Sequence, residues 1–299
     1  MDIVTHAGIG LIAAAPLLNS HPELAMGLVA GSVLPDLDAA SRVFGKRAFL
    51  RAHQTWSHAL PVHAGVSVLA GGLLSAGGLA GWQFGAGLFA ALTFHTLLDL
   101  SNTLGVTLFA PFSKKRFCLE WVFFIDAFVL ALTIAAATFT IWEFVIAETM
   151  PAQPAVFFFG ILAAYFFVKG WLRRRAGSMA PEAATLMPSE VWPWQFFGIL
   201  KTGNSVRRFQ LNALNGSRKT LTQQDIFDDR YDNLLSSVPE FRVMRELSPA
   251  YHVVSASATE AGELICCRDL RTRNFKTTFG DLEILLDARR QIVQTTFHV

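Results

Sequence analysis

Residues 156–168 read VFFFGILAAYFFV, an apolar run that is followed by three consecutive arginines at residues 173–175. A helix needs about 20 mostly apolar residues to cross a bilayer, and the stretch 155–172 approaches that length. Three earlier stretches do so as well, namely 59–81, 83–101 and 121–147. We therefore predict an α-helical membrane bundle of about four full spans.

Two shorter apolar stretches, about 5–18 and 24–34, precede these spans. The turn signal between them includes Pro22, a residue suited to opening a helix. Segments of this length reach only about 15–20 Å as helices. They predict a short N-terminal helical hairpin that is either re-entrant or a pair of spans.

The charge distribution divides the chain near the triple arginine. Only 16% of all residues are charged, against about 25% in an average soluble domain. Residues 1–172 carry 8 Lys/Arg and 9 Asp/Glu, whereas residues 173–299 carry 17 and 14. We predict a membrane domain over 1–172, a basic and Pro/Gly-containing linker over 173–189, and a soluble, mainly antiparallel β domain over 190–299. Within the β domain, strands are predicted near 196–200, 206–211, 251–257, 263–268 and 291–297, and a polar helix near 223–236.

Basic residues in the short loops predict the orientation of the membrane domain. The segments 42–51, 114–116 and 173–175 hold most of its Lys and Arg, and around four spans they fall on one side. That side is the cytosol by the positive-inside rule. The same topology places the β domain in the cytosol. The net charge of +2, without a basic stripe, excludes a nucleic-acid binder.

Histidines and aspartates are concentrated in this charge-poor half, where ionisable groups are costly and mark functional sites. Asp2 and His6 lie four residues apart, so a helix would place both on one face, although an N-terminal Asp is also a common helix cap. Asp36 and Asp38 follow an apolar segment, as metal-bridging carboxylates or as turn caps. The histidines of the next loop, His53 and His58, flank QTWS.

The segment His95-Thr-Leu-Leu-Asp99 is the sharpest local pattern, because it places both side chains on one helical face at the end of a predicted span. The alternative is a hydrogen bond between them that stabilises helix packing. Asp126 lies at the start of the next span, with a structural contact as its alternative. Under the topology above all these positions share the cytosolic end, which favours a zinc or two-metal centre.

Several composite motifs resemble one family over residues 1–130. These are MDxxTH at 1–6, GSVLPDLD at 31–38, RAH at 51–53 with SHAL at 57–60, HxxxDxxNTxG at 95–105, PFSKK at 111–115 and ID at 125–126. They resemble a bacterial membrane-bound, metal-dependent hydrolase family, whose enterobacterial member is linked to the SOS regulator LexA. The resemblance implies a location in the bacterial inner membrane. It also implies metal ligation at His6, Asp36, His53, His58, His95 and Asp99, with Asp2, Asp38 and Asp126 as further candidates.

These observations together predict a hydrolase at the cytosolic membrane interface that acts on a phosphoester such as a lipid or lipid-linked substrate. Asp36 or Asp38 would be the catalytic carboxylate, and the cofactor would be a divalent metal ion, zinc before others. One alternative is a non-enzymatic protein with a structural metal or His–Asp network, whose β domain binds a cytosolic protein partner. A transporter is a third class, but it would distribute acids through the membrane depth.

Overall fold

The computed structural model describes residues 1–52, 54–147, 151–260, 262–271 and 280–298. They form two units, one mainly helical and one that contains all the strands. The helical unit comprises residues 1–41, 52–172 and 188–193, and the second unit comprises 42–51, 173–187 and 194–299.

The helices of the N-terminal part begin where the sequence offers caps and end at turns. Asp2 caps the first helix by accepting a hydrogen bond from the Thr5 N–H at 2.9 Å, and Pro22 occupies the first turn of the second helix. The α-helices are α1 (Ile3–Ala14), α2 (Pro22–Val33), α3 (Lys46–Ala52), α4 (Leu60–Ala76), α5 (Gly81–Leu100), α6 (Ala127–Ala147) and α7 (Gln153–Met179). Short 3₁₀ segments cover Ala15–Leu17, Leu34–Phe44 and Trp56–His58.

Three helices among the described residues are long and apolar enough to cross a membrane, rather than the four predicted. They are Pro22–Phe44, Ala127–Ile146 and Gln153–Met179. The first is longer than expected because 3₁₀ turns carry α2 through the aspartate motif to Phe44. By contrast α4 is a shorter apolar helix, since it ends before Gly77 and Gly78, and α5 contains the polar residues of the site.

The helical unit packs around its first helix and its fifth. Helix α1 contacts α2 and α6, and α5 contacts both α2 and α4. The buried side chains of Ile9, Leu98 and Val129 join those of α7 in one apolar cluster. This packing brings the C-terminal end of α5 next to the N-terminus of the chain.

The second unit is built from two four-stranded sheets whose strands lie in chain order, β1-β2-β3-β4 and β5-β6-β7-β8. Strands β2 to β4 pair antiparallel, as do β5 to β8. The strands are β1 (Thr185–Pro188), β2 (Gln195–Thr202), β3 (Ser205–Asn212), β4 (Arg218–Asp225), β5 (Tyr251–Thr259), β6 (Gly262–Asp269), β7 (Leu282–Leu286) and β8 (Ile292–Phe297). Helices α8 (Asp228–Leu235) and α9 (Pro239–Leu247) pack their apolar sides against the second sheet.

The five predicted strands correspond to β2, β3, β5, β6 and β8. The predicted helix near 223–236 is shorter, because β4 extends to Asp225 and α8 begins at Asp228. Strands β1, β4 and β7 and helix α9 had no clear sequence signal. The segment predicted as a linker is structured too: α7 continues through the arginines to Met179, where the Arg175 Nε donates to the Ala213 carbonyl at 2.6 Å.

Candidate metal centre

Four side chains from three separate segments meet inside the helical unit. Asp36 comes from the 3₁₀ extension of α2, His58 from the short 3₁₀ turn before α4, and the remaining two from the end of α5. One potential ligand atom from each lies within 4.8 Å of those of the others. His58, His95 and Asp99 are at most 1% exposed, and the Asp36 side chain is 11% exposed. The four residues are Asp36, His58, His95 and Asp99, and we call them the His–Asp cluster.

Close packing of α2 on α5 sets the distance across this cluster. A Cβ atom added at Gly31 would lie 2.6 Å from the Leu88 carbonyl oxygen and 2.8 Å from the Ala91 Cβ. Only glycine therefore allows the two backbones to approach so closely, as small residues do at membrane helix interfaces. One turn later the chain reaches Asp36, whose Oδ1 lies 3.5 Å from the His95 Nε2.

The hydrogen bonds of His95 leave one of its ring nitrogens unsatisfied. Its Nδ1 lies 2.8 Å from the Ser32 carbonyl oxygen. Since a carbonyl only accepts, this nitrogen carries a proton, and in the neutral form of this tautomer the Nε2 carries the lone pair. The buried Nε2 has no hydrogen-bond partner among the described residues, and neither has the Asp36 Oδ2. A histidine that donates one N–H to a backbone carbonyl and offers its other nitrogen is arranged as metal ligands are.

Asp99 is the most connected member of the cluster. Its Oδ2 lies 2.9 Å from the His58 Nε2, and its Oδ1 lies 3.2 Å from the His6 Nε2. The Gln54 Nε2 also donates to Oδ2 at 3.2 Å, and the amino group of Met1 forms an ion pair with Oδ1. His6 further stacks on His95, with ring centroids 3.6 Å apart. A buried carboxylate with this many donors is held in one orientation.

The two remaining predicted carboxylates near the cluster have supporting contacts. Asp2 accepts from the Thr5 backbone N–H and from its hydroxyl, which is the helix-cap alternative. Asp38 accepts from the Gln54 N–H at 2.9 Å and from the Ser57 hydroxyl at 2.5 Å, and its Oδ2 lies 3.8 Å from the His58 Nδ1. His53 lies outside the described residues.

Asp126 does not belong to the His–Asp cluster, because its contacts are with residues of α6 and α7. It caps α6 through the N–H groups of Phe128 and Val129. The Tyr165 hydroxyl of α7 donates to it at 2.9 Å, and the Lys169 Nζ lies 4.0 Å away. These contacts support the structural alternative for Asp126, a polar link between α6 and α7.

A family model described as YdjM inner membrane protein matches residues 1–176. The chain belongs to this family. Membership supports a bacterial inner membrane location and confirms that the chain is a member of an inner membrane protein family. The description names no reaction, so the hydrolase activity stays a prediction.

A distant relative carries no assigned activity either. The chain is 26% identical over 183 residues to an uncharacterized protein of Bacillus subtilis (strain 168), YfhP, a match that covers 56% of this chain. The chain spans about half the length of that curated relative, 54%. No solved structure matches the chain.

Several polar side chains that contact the cluster and its neighbours were not predicted from the sequence. Gln54 adopts a left-handed backbone conformation, with φ of 59°, which is uncommon for a residue with a side chain. In that conformation its backbone reaches Asp38 and its amide reaches Asp99. Asn102 donates to the same Asp99 at 3.3 Å, and His63 contacts the Ser57 carbonyl oxygen at 2.9 Å. The position of Gln54 between two histidines was the available signal.

Proposed function

We propose that this inner membrane protein is a metal-dependent hydrolase that acts at the cytosolic membrane interface on a phosphoester, such as a lipid or lipid-linked compound. One observation carries the proposal. Among the donors of the His–Asp cluster, the Nε2 of His95 and the Oδ2 of Asp36 are buried and have no hydrogen-bond partner among the described residues. Buried polar atoms are almost always satisfied, so a cation is the natural partner for both.

The donor set fits a small divalent ion. Imidazole nitrogens and carboxylate oxygens bind zinc, with manganese and iron as close alternatives. His58, His95 and Asp99 would hold the ion, together with Asp36. When bound, such an ion supplies an acidified water and a polarised phosphoryl oxygen.

The protein residues of the cluster divide into a fixed part and an open part. Asp99 and His58 are fully buried and tied to each other and to their neighbours, so they hold position. Asp36 is the most exposed member, and its Oδ2 is unengaged. When the other three members hold the ion, Asp36 is therefore the group best placed to accept a proton from an attacking water. Asp38 supports His58 from the other side through the Ser57 hydroxyl.

The substrate class and sidedness rest on sequence and composition. The segments 42–51, 114–116 and 173–175 are basic, which favours the cytosolic side for the loops that contain them. The helix Pro22–Phe44, which is long and apolar enough to span a membrane, carries Asp36 of the cluster. Both features favour a substrate with a phosphorylated head near the membrane surface.

A second candidate function follows from the hydrogen bonds of Asp99. It receives contacts from His6, His58, Gln54 and Asn102. Such a network is stable without any ion, and burial alone gives it a structural role in holding α1 and α5 together. In that case the protein is non-enzymatic, and its soluble β domain does the work by binding a cytosolic protein.

Metal analysis of the full chain, purified in detergent, separates the two functions. The wild type and His21→Ala, which removes an exposed histidine, should retain the same bound metal. His95→Gln should lose it while the circular dichroism spectrum stays unchanged. Hydrolysis of bis(p-nitrophenyl) phosphate and of phosphatidic acid vesicles should stop with His95→Gln and with a chelator. A wild type that is folded, free of metal after growth in supplemented medium and inactive would refute the hydrolase.

A further inference from the structure

An apolar cavity of about 260 Å³ lies in the helical unit directly beside the His–Asp cluster. It is lined by residues of four helices, α1, α2, α5 and α7. Most of the lining is hydrocarbon, from residues that include Ile9, Ala13, Leu28, Ala90, Phe94 and Phe159. His6 and His95 form part of the same lining. The cavity therefore joins a hydrocarbon-lined space to the candidate metal ligands.

The polar atoms of the lining are poor partners for water. The Ser32 hydroxyl donates to the Val29 carbonyl at 2.7 Å, and the His6 Nε2 is engaged by Asp99. A water molecule needs two to four polar partners to occupy a cavity. The His95 Nε2 is itself buried and lies beside the Asp36 carboxylate. The rest of the space is suited to hydrocarbon.

We place the opening of the cavity at the exposed lining residue Ala90, on an apolar surface. The lining residue Ala90 is exposed, and its neighbour Phe89 on α5 is 41% exposed. Val29 of α2 is 42% exposed, and α2 belongs to a helix long and apolar enough to cross a membrane. An exposed apolar surface of this kind faces lipid in a membrane protein, so the nearest hydrocarbon is the acyl chain of a phospholipid.

We propose that this cavity is an acyl-chain site, which holds part of one chain of a phospholipid and so directs its phosphoester head to the His–Asp cluster. The volume is slightly below that of pockets for whole drug-sized ligands, about 300–1,000 Å³, and it suits a chain segment rather than a complete lipid. For the fate of the head group the inference rests on the proposed hydrolase. The binding of the acyl chain stands independently of it.

Acyl-chain photocrosslinking tests the site without requiring hydrolysis. The full chain is reconstituted in nanodiscs that contain a phosphatidylglycerol with a diazirine on one acyl chain, and labelled residues are mapped by mass spectrometry. Label should concentrate on the lining of α1, α5 and α7. Ala90→Phe fills the opening and should reduce this label by about tenfold, the effect of excluding about two methylene groups.

The matched control is Ala135→Phe, the same substitution at an exposed alanine of α6 that does not line the cavity. It should leave the label on the lining unchanged. Equal labelling in the two variants, or labelling spread evenly over exposed apolar helices, would overturn the site. So would crosslinks between two copies of the chain at Ala90, since they would show that protein covers the opening.

A second measurement separates failure of the acyl site from failure of the hydrolase. Ala90→Phe should slow hydrolysis of the acylated phosphoester by about tenfold and leave that of bis(p-nitrophenyl) phosphate, which has no acyl chain, unchanged. Equal loss with both substrates would show a damaged cluster and overturn the acyl site. If the wild type hydrolyses neither substrate, the hydrolase is refuted, and the crosslinking pattern still decides whether the cavity binds an acyl chain.

Discussion

Replacing Gly31 by alanine tests whether the packing of α2 on α5 sets the geometry of the His–Asp cluster. The added methyl group would lie 2.6 Å from the Leu88 carbonyl oxygen, whereas ordinary contacts begin at 3.4 Å. The two helices must therefore separate by about 0.8 Å. Overpacking of this kind costs about 1–3 kcal/mol. The same movement carries Asp36 away from His95.

The expected result is a lower thermal stability together with weaker metal binding. A displacement of nearly 1 Å loosens a ligand set, and disturbing the residues that orient ligands typically reduces metal affinity about 10–100-fold. Metal affinity is measured by competition with a chromophoric chelator, and stability by thermal unfolding of the full chain in detergent, followed by tryptophan fluorescence.

Gly65→Ala is the matched control, because a Cβ at this α4 position has nothing within 4 Å. It should keep the metal affinity of the wild type and leave stability equal or higher by up to ~1 kcal/mol, the usual preference of a helix for alanine. Equal unfolding temperatures of the two variants would show that α2 and α5 are not in backbone contact at Gly31. If Gly31→Ala is destabilised but binds metal with full affinity, packing does not set the site.

Two further predictions concern structure away from the cluster. Lys169→Met leaves the buried Asp126 without its nearby cation and should destabilise the full chain by about 3 kcal/mol in thermal unfolding. Adding Asp126→Asn should restore part of the lost stability, and no recovery in the double variant would contradict the pairing. In the second unit, burial would raise the pKa of Asp228, but the hydrogen bond to His252, together with other contacts, lowers it from 3.8 to about 2. The carboxylate therefore stabilises the fold above pH 3.8 and loses this effect as the pH falls towards 2. In denaturant titrations Asp228→Asn should lower the free energy of unfolding by roughly 2 kcal/mol at pH 7 and by little at pH 2. An equal loss at both pH values would contradict the pKa shift.

The sequence predicted elements best where the pattern is local. Hydrophobic runs marked the helices from α4 to α7, and alternating segments marked five of the eight strands, because burial imposes a period on each element. Strand β4 was missed for the same reason, since seven of its residues are exposed and one is half-buried, so no apolar alternation marks it. The predicted number of about four spans was not confirmed, because an apolar run does not show where a helix ends or how far 3₁₀ turns extend it.

The candidate ligands could be named from residue type and spacing, and His95 with Asp99 is the clearest example, since four residues form one helical turn. Residue type and spacing could not predict which other carboxylates lie next to these two residues. Asp36 and Asp126 look alike in sequence, each at an end of an apolar segment. Their partners lie on helices distant in the chain.

The sequence by itself determined the class of protein: a charge-poor helical membrane part with histidines and aspartates, followed by a charged β domain. Hydrophobicity and charge are properties of composition, and they set the environment of each part. Only the tertiary structure decided that Asp36 meets His95, that Asp126 pairs with α7, and that an apolar cavity adjoins the cluster. The first depends on how closely α2 and α5 approach, and all three involve side chains tens of residues apart, whose contacts follow from packing rather than from any local pattern.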